Sequence, residues 1–263
     1  MHQTAELILS YSYEYWAFIV KQVIVIPARM GGTRLPGKPL INLNGIPMIK
    51  HVWNRCTKVF SEENIFVATE DQEIVDYCNT ESINCVLTEK AESAIDRIKL
   101  FSETVRADTY INVQGDEPLV NIKDISTIAN YASKFNDRVV FGRVKANFQE
   151  FNDFSKAKVV CDLSGKLLYS SRAGIPVNSA GSFVTAERAI WIYAFSKSAL
   201  NRYFEFKSET KLDKIEDNEI IRFLEIGEPV YCVDVIGDSW AVDEFKDIQI
   251  VEERLKKAMG GIS

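Results

Sequence analysis

Histidine is nearly absent from the 263-residue chain: only His2 and His51 occur. That leaves no material for a Ser-His-Asp triad or a histidine-rich zinc site. Cysteine is sparse and scattered. Cys56, Cys78, Cys85, Cys161 and Cys232 contain no C-x-x-C pair, and an odd number without metal spacing reads as reduced thiols in a cytoplasmic protein. Positive charge is also short, with Lys and Arg numbering 31 against 37 Asp and Glu, a formal net charge of −6. Such a chain has no basic field for nucleic acid. Long hydrophobic runs are missing as well. Leu7 to Val20 is apolar and aromatic, but Glu6 and Glu14 interrupt it. It falls short of the roughly 20 residues of a membrane span and lacks the basic segment of a signal peptide. Residues 1–20 are read as an N-terminal extension, either an added helix or an upstream start, outside the functional argument. Residues 21–263 are read as a single domain.

What is present is ordinary for a globular protein: 46% hydrophobic and 26% charged residues. The length suits one large α/β domain. Its most informative stretch is VIVIPARMGGTRLPGKPL, Val23 to Leu40. The β-branched run at its start predicts a short buried strand, and the loop that follows concentrates Arg29, Gly31, Gly32, Arg34, Gly37 and Lys38. Glycines let backbone amides approach a ligand closely, and three cations suit a polyphosphate. Gly32 to Lys38 fits G-x-x-x-x-G-K, but Pro39 stands where a P-loop requires the magnesium-binding Ser or Thr on a helix. Kinase-type P-loop chemistry is thereby excluded. No G-x-G-x-x-G occurs here, so a dinucleotide site gains no support either.

Further along, Asn44-Gly45 signals a turn, and Pro47 predicts the start of a helix through Cys56 that carries His51 in a packing role. Ile65 to Thr69, Ile83 to Leu87, Tyr110 to Val113 and Val139 to Val144 read as strands. Helices capped at Asp71, running from Glu92 to Val105, and from Asn121 to Phe135, alternate with them. This alternation predicts βαβ units in a mostly parallel sheet, with ligands beyond the carboxyl ends of its strands. In the second half, Ala157 to Cys161 and Leu167 to Ser170 flank a Ser164-Gly165 turn as a β-hairpin. Arg188 to Phe195 reads as a strand followed by a helix from Ser196. Leu212 to Leu224 reads as one amphipathic helix with Leu212, Ile215, Ile220, Phe223 and Leu224 on its apolar side. A strand over Val230 to Ile236 and a charged helix over Glu244 to Met259 close the chain.

The second informative stretch is NVQGDEP, Asn112 to Pro118, at the carboxyl end of a predicted strand. Asp116 after Gly115 can project from a tight turn, and a carboxylate near a phosphate loop is what Mg²⁺ needs. Asp243 is a second candidate ligand, although an aspartate that opens a helix is commonly an N-cap.

VIPARMGGTRLPGKPL, then Ile46-Pro47-Met48-Ile49, then NVQGDEPLV, then Tyr169-Ser170-Ser171-Arg172-Ala173-Gly174-Ile175-Pro176 together resemble the 3-deoxy-manno-octulosonate cytidylyltransferases, the CMP-Kdo synthetases. The resemblance runs from Lys21 to the C-terminus, tightest over its first hundred residues and loose after Arg188. It implies a three-layer, Rossmann-like nucleotidyltransferase fold with a small β-rich insertion in the second half. It further implies a cytoplasmic homodimer without a membrane span. The implied reaction is Mg²⁺-dependent transfer of CMP from CTP to an acidic sugar, Kdo or a related 3-deoxy sugar acid, for surface polysaccharide synthesis. Pyrophosphate is released. By the same resemblance, Lys38, Asp116 and Asp243 are catalytic and the two aspartates hold the metal. Ala28, Arg29, Gly31, Arg34, Lys38, Ser93 and Gln114 bind the nucleotide. Gln114, Arg97, Arg172, Tyr193 and Glu219 bind the acceptor.

The departures from the family pattern fall on the acceptor side. H-Q-S-G-T-E-R is here Ala91-Glu92-Ser93-Ala94-Ile95-Asp96-Arg97, and R-H-L-G-I-Y is Arg188-Ala189-Ile190-Trp191-Ile192-Tyr193. L-E-x-x-E-x-L-E-Q-L-R is here Leu212 to Arg222, without the glutamine. Loss of a hydrogen-bonding partner for a substrate hydroxyl shifts discrimination by orders of magnitude. Two alternatives therefore stand beside the leading one. The first is the same transfer to a different acceptor, another capsule sugar or a phosphorylated alcohol. The second is a nucleotide-binding protein without catalysis, against which the retention of both Asp116 and Asp243 argues.

Overall fold

The computed structural model describes residues 21–32, 34–135 and 137–260. The extension expected over residues 1–20 lies outside that set. The elements are, in order, β1 (Gln22–Ala28), β2 (Asn42–Leu43), β3 (Ile46–Pro47), α1 (Met48–Cys56), β4 (Ile65–Thr69), α2 (Gln72–Thr80), β5 (Cys85–Leu87), α3 (Ala94–Thr104), β6 (Thr109–Val113), α4 (Ile122–Lys134) and β7 (Val139–Ala146). They continue with α5 (Phe148–Asn152), β8 (Lys158–Cys161), β9 (Leu167–Ser171), β10 (Ala186–Ser196), α6 (Lys197–Glu205), α7 (Leu212–Ile215), α8 (Ile220–Glu225), β11 (Val230–Asp234) and α9 (Phe245–Gly260).

β1 lies at the heart of the sheet because both of its faces are covered. Val23 and Val25 enter one apolar cluster with Ile95, Ile98 and Phe101 of α3, Leu200 and Tyr203 of α6 and Phe223 of α8. Ile24 and Ile26 enter the other, with Val52 and Trp53 of α1, Ile74 of α2 and Ile125 and Ile128 of α4. A strand buried on both faces reads as a continuous apolar run rather than an alternating one. The sheet order is β11-β7-β10-β6-β1-β4-β5. β10 is antiparallel to β6 and β7, and the other pairs along this path are parallel. The mostly parallel three-layer architecture is as expected.

The β8–β9 hairpin of the β-rich second half forms. β8 pairs antiparallel with the start of β10 at Glu187 and Arg188, so among the described residues the hairpin extends the central sheet to nine strands.

The single helix expected over 212–224 is two. α7 and α8 are separated at Asp217, whose φ of 46° is left-handed, a region that Asp and Asn tolerate best among non-glycine residues. Leu212 and Ile215, expected on the apolar side, are exposed, whereas Ile220, Ile221 and Phe223 are buried.

Pro47 precedes α1 in extended geometry rather than opening it. Asn44 and Gly45 form the β2–β3 turn with φ of 51° and 84°. His51 has the packing role expected, its Nε2 lying 2.9 Å from the Leu43 carbonyl oxygen. Among the described residues no helix is long and apolar enough to cross a membrane.

Candidate active site

The loops that leave β1 and β6 at their carboxyl ends face each other across a cleft of about 430 Å³. After β1 the chain is organised on Met30. Its carbonyl accepts hydrogen bonds from the amides of Gly32 and Gly37, each at 2.9 Å. Its own N–H donates to Asp71 Oδ2 at 2.7 Å. Asp71 occupies the N-cap position of α2, as expected, yet its side chain makes no capping bond there. Its carboxylate ties α2 to the glycine-rich loop instead. Asp71→Ala should therefore loosen the loop and raise the KM for nucleotide several-fold with a smaller change in kcat. Asp71→Asn, which keeps an acceptor oxygen, should restore most of the loss in steady-state kinetics.

Gly37 turns the chain with φ of 68° into a short 3-10 segment, Lys38–Leu40. Lys38 there points its ammonium across the cleft, 2.7 Å from Asp116 Oδ2 and 3.4 Å from Asp243 Oδ1. Arg34 reaches the same Asp243 oxygen at 3.2 Å. Asp243 is thus no N-cap. The amides of Asp243 and Glu244 are taken by Asp247 Oδ2, both at 2.9 Å, which leaves the Asp243 carboxylate free for the cleft.

The Asp116 turn is held from three sides. Arg55 of α1 donates to the carbonyls of Pro118 and Val120 at 3.0 and 3.1 Å. The Val242 amide donates to the Asp116 carbonyl at 2.9 Å, joining the two aspartate-bearing segments directly. Gly115 packs so closely on β1 that an added Cβ would lie 2.7 Å from the Pro27 carbonyl oxygen. Behind Asp116, the buried Glu117 was not singled out from sequence. Burial, then the neighbouring Asp116 charge, push its carboxyl up to about 7.

Of the residues expected to bind nucleotide, Ala28, Arg29, Arg34, Lys38, Ser93 and Gln114 line the cleft together with both aspartates. Gly31 is not in its wall, and the adjacent Gly32 is. Of the expected acceptor residues, Gln114, Arg97 and Glu219 line the cleft. Arg97 is engaged from behind, donating to Glu70 at 2.8 Å and Thr88 at 2.9 Å. Burial would raise the Glu70 carboxyl, but the bonds from Arg97 and the Ala91 amide outweigh it and the net shift is downward. Ser93 caps α3 by accepting from the Asp96 amide at 3.1 Å. Glu219 meets the first turn of the same helix, accepting from the Ile95 amide at 3.4 Å. Burial raises its carboxyl, against the opposing effect of a hydrogen bond from Ser93. Glu92, Ala94 and Asp217 complete this end of the cleft, and none was singled out as a site residue from sequence.

Arg172 and Tyr193 are placed outside the cleft wall. Tyr193 is only 5% exposed and packs between Trp191 and Phe195, with ring centroids 5.8 and 5.4 Å away. Burial raises its phenol far above the ordinary value. Ala189, at the family's histidine position, is buried in the same apolar cluster, against which Trp191 also packs. Ala189→His would force an imidazole into this core. Overpacking of this kind costs about 1–3 kcal/mol, so a Tm lower by several degrees is expected in thermal unfolding.

An α/β nucleotidyltransferase fold with a cationic glycine loop opposed by two aspartates defines a class of nucleotide-transferring enzymes. The cytidylyltransferase family model matches residues 23–230. A 3-deoxy-manno-octulosonate cytidylyltransferase of Koribacter versatilis is 34% identical over 239 residues, 90% of this chain and 91% of the relative. An 8-amino-3,8-dideoxy-manno-octulosonate cytidylyltransferase of Shewanella pealeana is 34% identical over 240 residues, 88% of this chain and 97% of the relative. Among solved structures, a CMP:2-keto-3-deoxy-manno-octonic acid synthetase complexed with CTP superposes with a TM-score of 0.85 at 30% identity, covering 90% of this chain and 99% of its own. The chain belongs to the cytidylyltransferase family, in its 3-deoxy-manno-octulosonate branch, and is an enzyme.

Proposed function

We propose that the protein transfers CMP from CTP to a hydroxyl of an acidic 3-deoxy sugar, with Mg²⁺ bound and pyrophosphate released. The observation that carries this reading is the convergence of Asp116 and Asp243 on the Lys38 ammonium, opposite Arg29 and Arg34. Two carboxylates that can both reach one ammonium are close enough to share one divalent cation. Among the described residues no group of three or more His, Cys, Asp or Glu could hold a metal. That donor set suits Mg²⁺, which is commonly held by one or two carboxylates plus substrate phosphates and water. When bound, Mg²⁺ would neutralise charge on the transferring and leaving phosphates.

Arg29, Arg34 and Lys38 then serve the triphosphate, with Arg34 and Lys38 leaving their ion pairs to the aspartates when the nucleotide supplies the counter-charge. Gln114 and Glu219 face the acceptor, whose hydroxyl attacks the α-phosphorus in line as pyrophosphate departs. This chemistry needs no covalent intermediate, in keeping with the near absence of histidine. A second reading changes only the acceptor. Ala91, Glu92 and Ala94, where the lining of the cleft departs from the family pattern, favour it. The test is pyrophosphate release from CTP and Mg²⁺ with a panel of sugar acids, amino-substituted sugar acids and phosphorylated alcohols. Release with a 3-deoxy sugar acid, amino-substituted or not, supports the first reading, and release only with an acceptor outside that class supports the second. CTP binding without release on any acceptor would overturn both.

A further inference from the structure

The turn that separates α7 from α8 is gripped by β9. The Glu216 carboxylate accepts from Tyr169 Oη at 3.2 Å, from Ser171 Oγ at 2.8 and 3.0 Å, and from the Arg172 amide at 3.0 Å. The Arg172 guanidinium is turned onto the same segment. Its Nε donates to the Glu216 and Asp217 carbonyls at 3.0 and 3.2 Å. Its Nη2 donates to the Asp217 carbonyl at 2.6 Å and to Asp217 Oδ2 at 2.9 Å. Nη1 reaches the carbonyls of Phe154 and Ser155 at 3.2 and 3.3 Å. Asn218, buried, donates to Ser170 Oγ at 2.9 Å. Every donor nitrogen of Arg172 thus faces backbone or Asp217, and its side chain stands outside the cleft wall.

We propose that Glu216 and Arg172 are positioning residues, a clasp that holds the left-handed turn at Asp217 so that Asp217 and Glu219 form the acceptor wall. The proposal rests on the acceptor end of the cleft being where the functional reading puts it. Arg172 acts through the segment it holds and not by touching the acceptor. The left-handed aspartate ends α7 with a local bond, the Asn218 amide donating to the Asp213 carbonyl at 2.9 Å. The contacts from β9 and Arg172 add to that bond and hold the turn against joining α7 and α8 into one helix, the state that the local sequence pattern favours. Small displacements of a binding wall are felt strongly in the affinity for the group it meets.

The test is steady-state pyrophosphate release with sugar acid and CTP each varied while the other is saturating. Glu216→Ala should raise the acceptor KM about tenfold while the CTP KM stays within about twofold. Arg172→Lys, which keeps the charge but not the fork of donors, should behave alike. The double variant should be little worse than either single one, because both break one clasp. An unchanged acceptor KM in Glu216→Ala, or multiplicative effects in the double variant, would overturn the proposal. A merely structural role would lower Tm and the active fraction and leave both KM values alone. Should Glu216→Ala fail to fold, Ser171→Ala removes two of the contacts and should raise the acceptor KM about threefold; no rise overturns the clasp. Failure of the functional reading is distinct, since the wild-type protein would then release no pyrophosphate with any acceptor. The clasp is in that case read by hydrogen exchange. Glu216→Ala or Ser171→Ala must accelerate the amides of Asn218 to Ile221 without affecting Gly32 and Gly37, and unchanged exchange overturns it.

Discussion

Asp116→Asn should lower kcat by about a thousandfold, the scale on which removal of one preorganised electrostatic partner is felt in transfer chemistry. The substitution keeps the shape of the side chain and one acceptor oxygen, so the turn after β6 has no reason to move. It deletes the charge that Lys38 meets at 2.7 Å and that, with Asp243, would hold the divalent cation. Stability should hardly change. The Asp116 side chain is 31% exposed, and partly exposed ion pairs contribute little to folding. Pyrophosphate release and thermal unfolding measured side by side check both halves. Retained turnover would remove Asp116 from the reaction, and a collapsed Tm would make the loss uninformative about metal.

Gly115→Ala should be damaging for a steric reason. Its new methyl would sit 2.7 Å from the carbonyl oxygen of Pro27 in β1. β1 cannot retreat, because it is paired with β4 on one side and β6 on the other. The strain must therefore fall on the turn that carries Gln114 and Asp116. A displacement of about 1 Å at a reacting centre costs on the order of a hundredfold in rate, and overpacking costs about 1–3 kcal/mol. The expected result is a kcat/KM lower by about a hundredfold with a Tm reduced by several degrees. Kinetics as in the wild type would show that the close approach is not needed.

The two variants bear on different parts of how the site could be read. β1 and β4 are legible because strands buried on both faces leave mostly apolar runs, and Ile65–Thr69 has the bounds that the sequence predicts. The glycine loop and the Gln114–Pro118 turn were legible because their chemistry is local. Asp243 was visible only as a candidate. The lysine that it meets is 205 residues away, and nothing adjacent to it distinguishes a cleft carboxylate from a helix cap. Asp71 reads as a cap for the same reason, while its side-chain bond runs to Met30 on another strand's loop. The break between α7 and α8 is hard to see in the sequence because most of the side-chain contacts that hold it come from β9 and Arg172, some 45 residues upstream. Periodicity in 212–224 reports local preference, and tertiary hydrogen bonds overrode it. Arg172 illustrates the converse. A motif position carried over from a family tells where a side chain lies along the chain, and its hydrogen bonds tell what it holds.

The most direct measurement is a phosphorus NMR time course of the protein with CTP, Mg²⁺ and a 3-deoxy sugar acid. Pyrophosphate and a CMP phosphodiester of the sugar should accumulate in equal amounts and stop when the metal is chelated. Intact CTP under conditions where the nucleotide is shown to bind, or a phosphate product without the phosphodiester, would contradict cytidylyl transfer by this cleft.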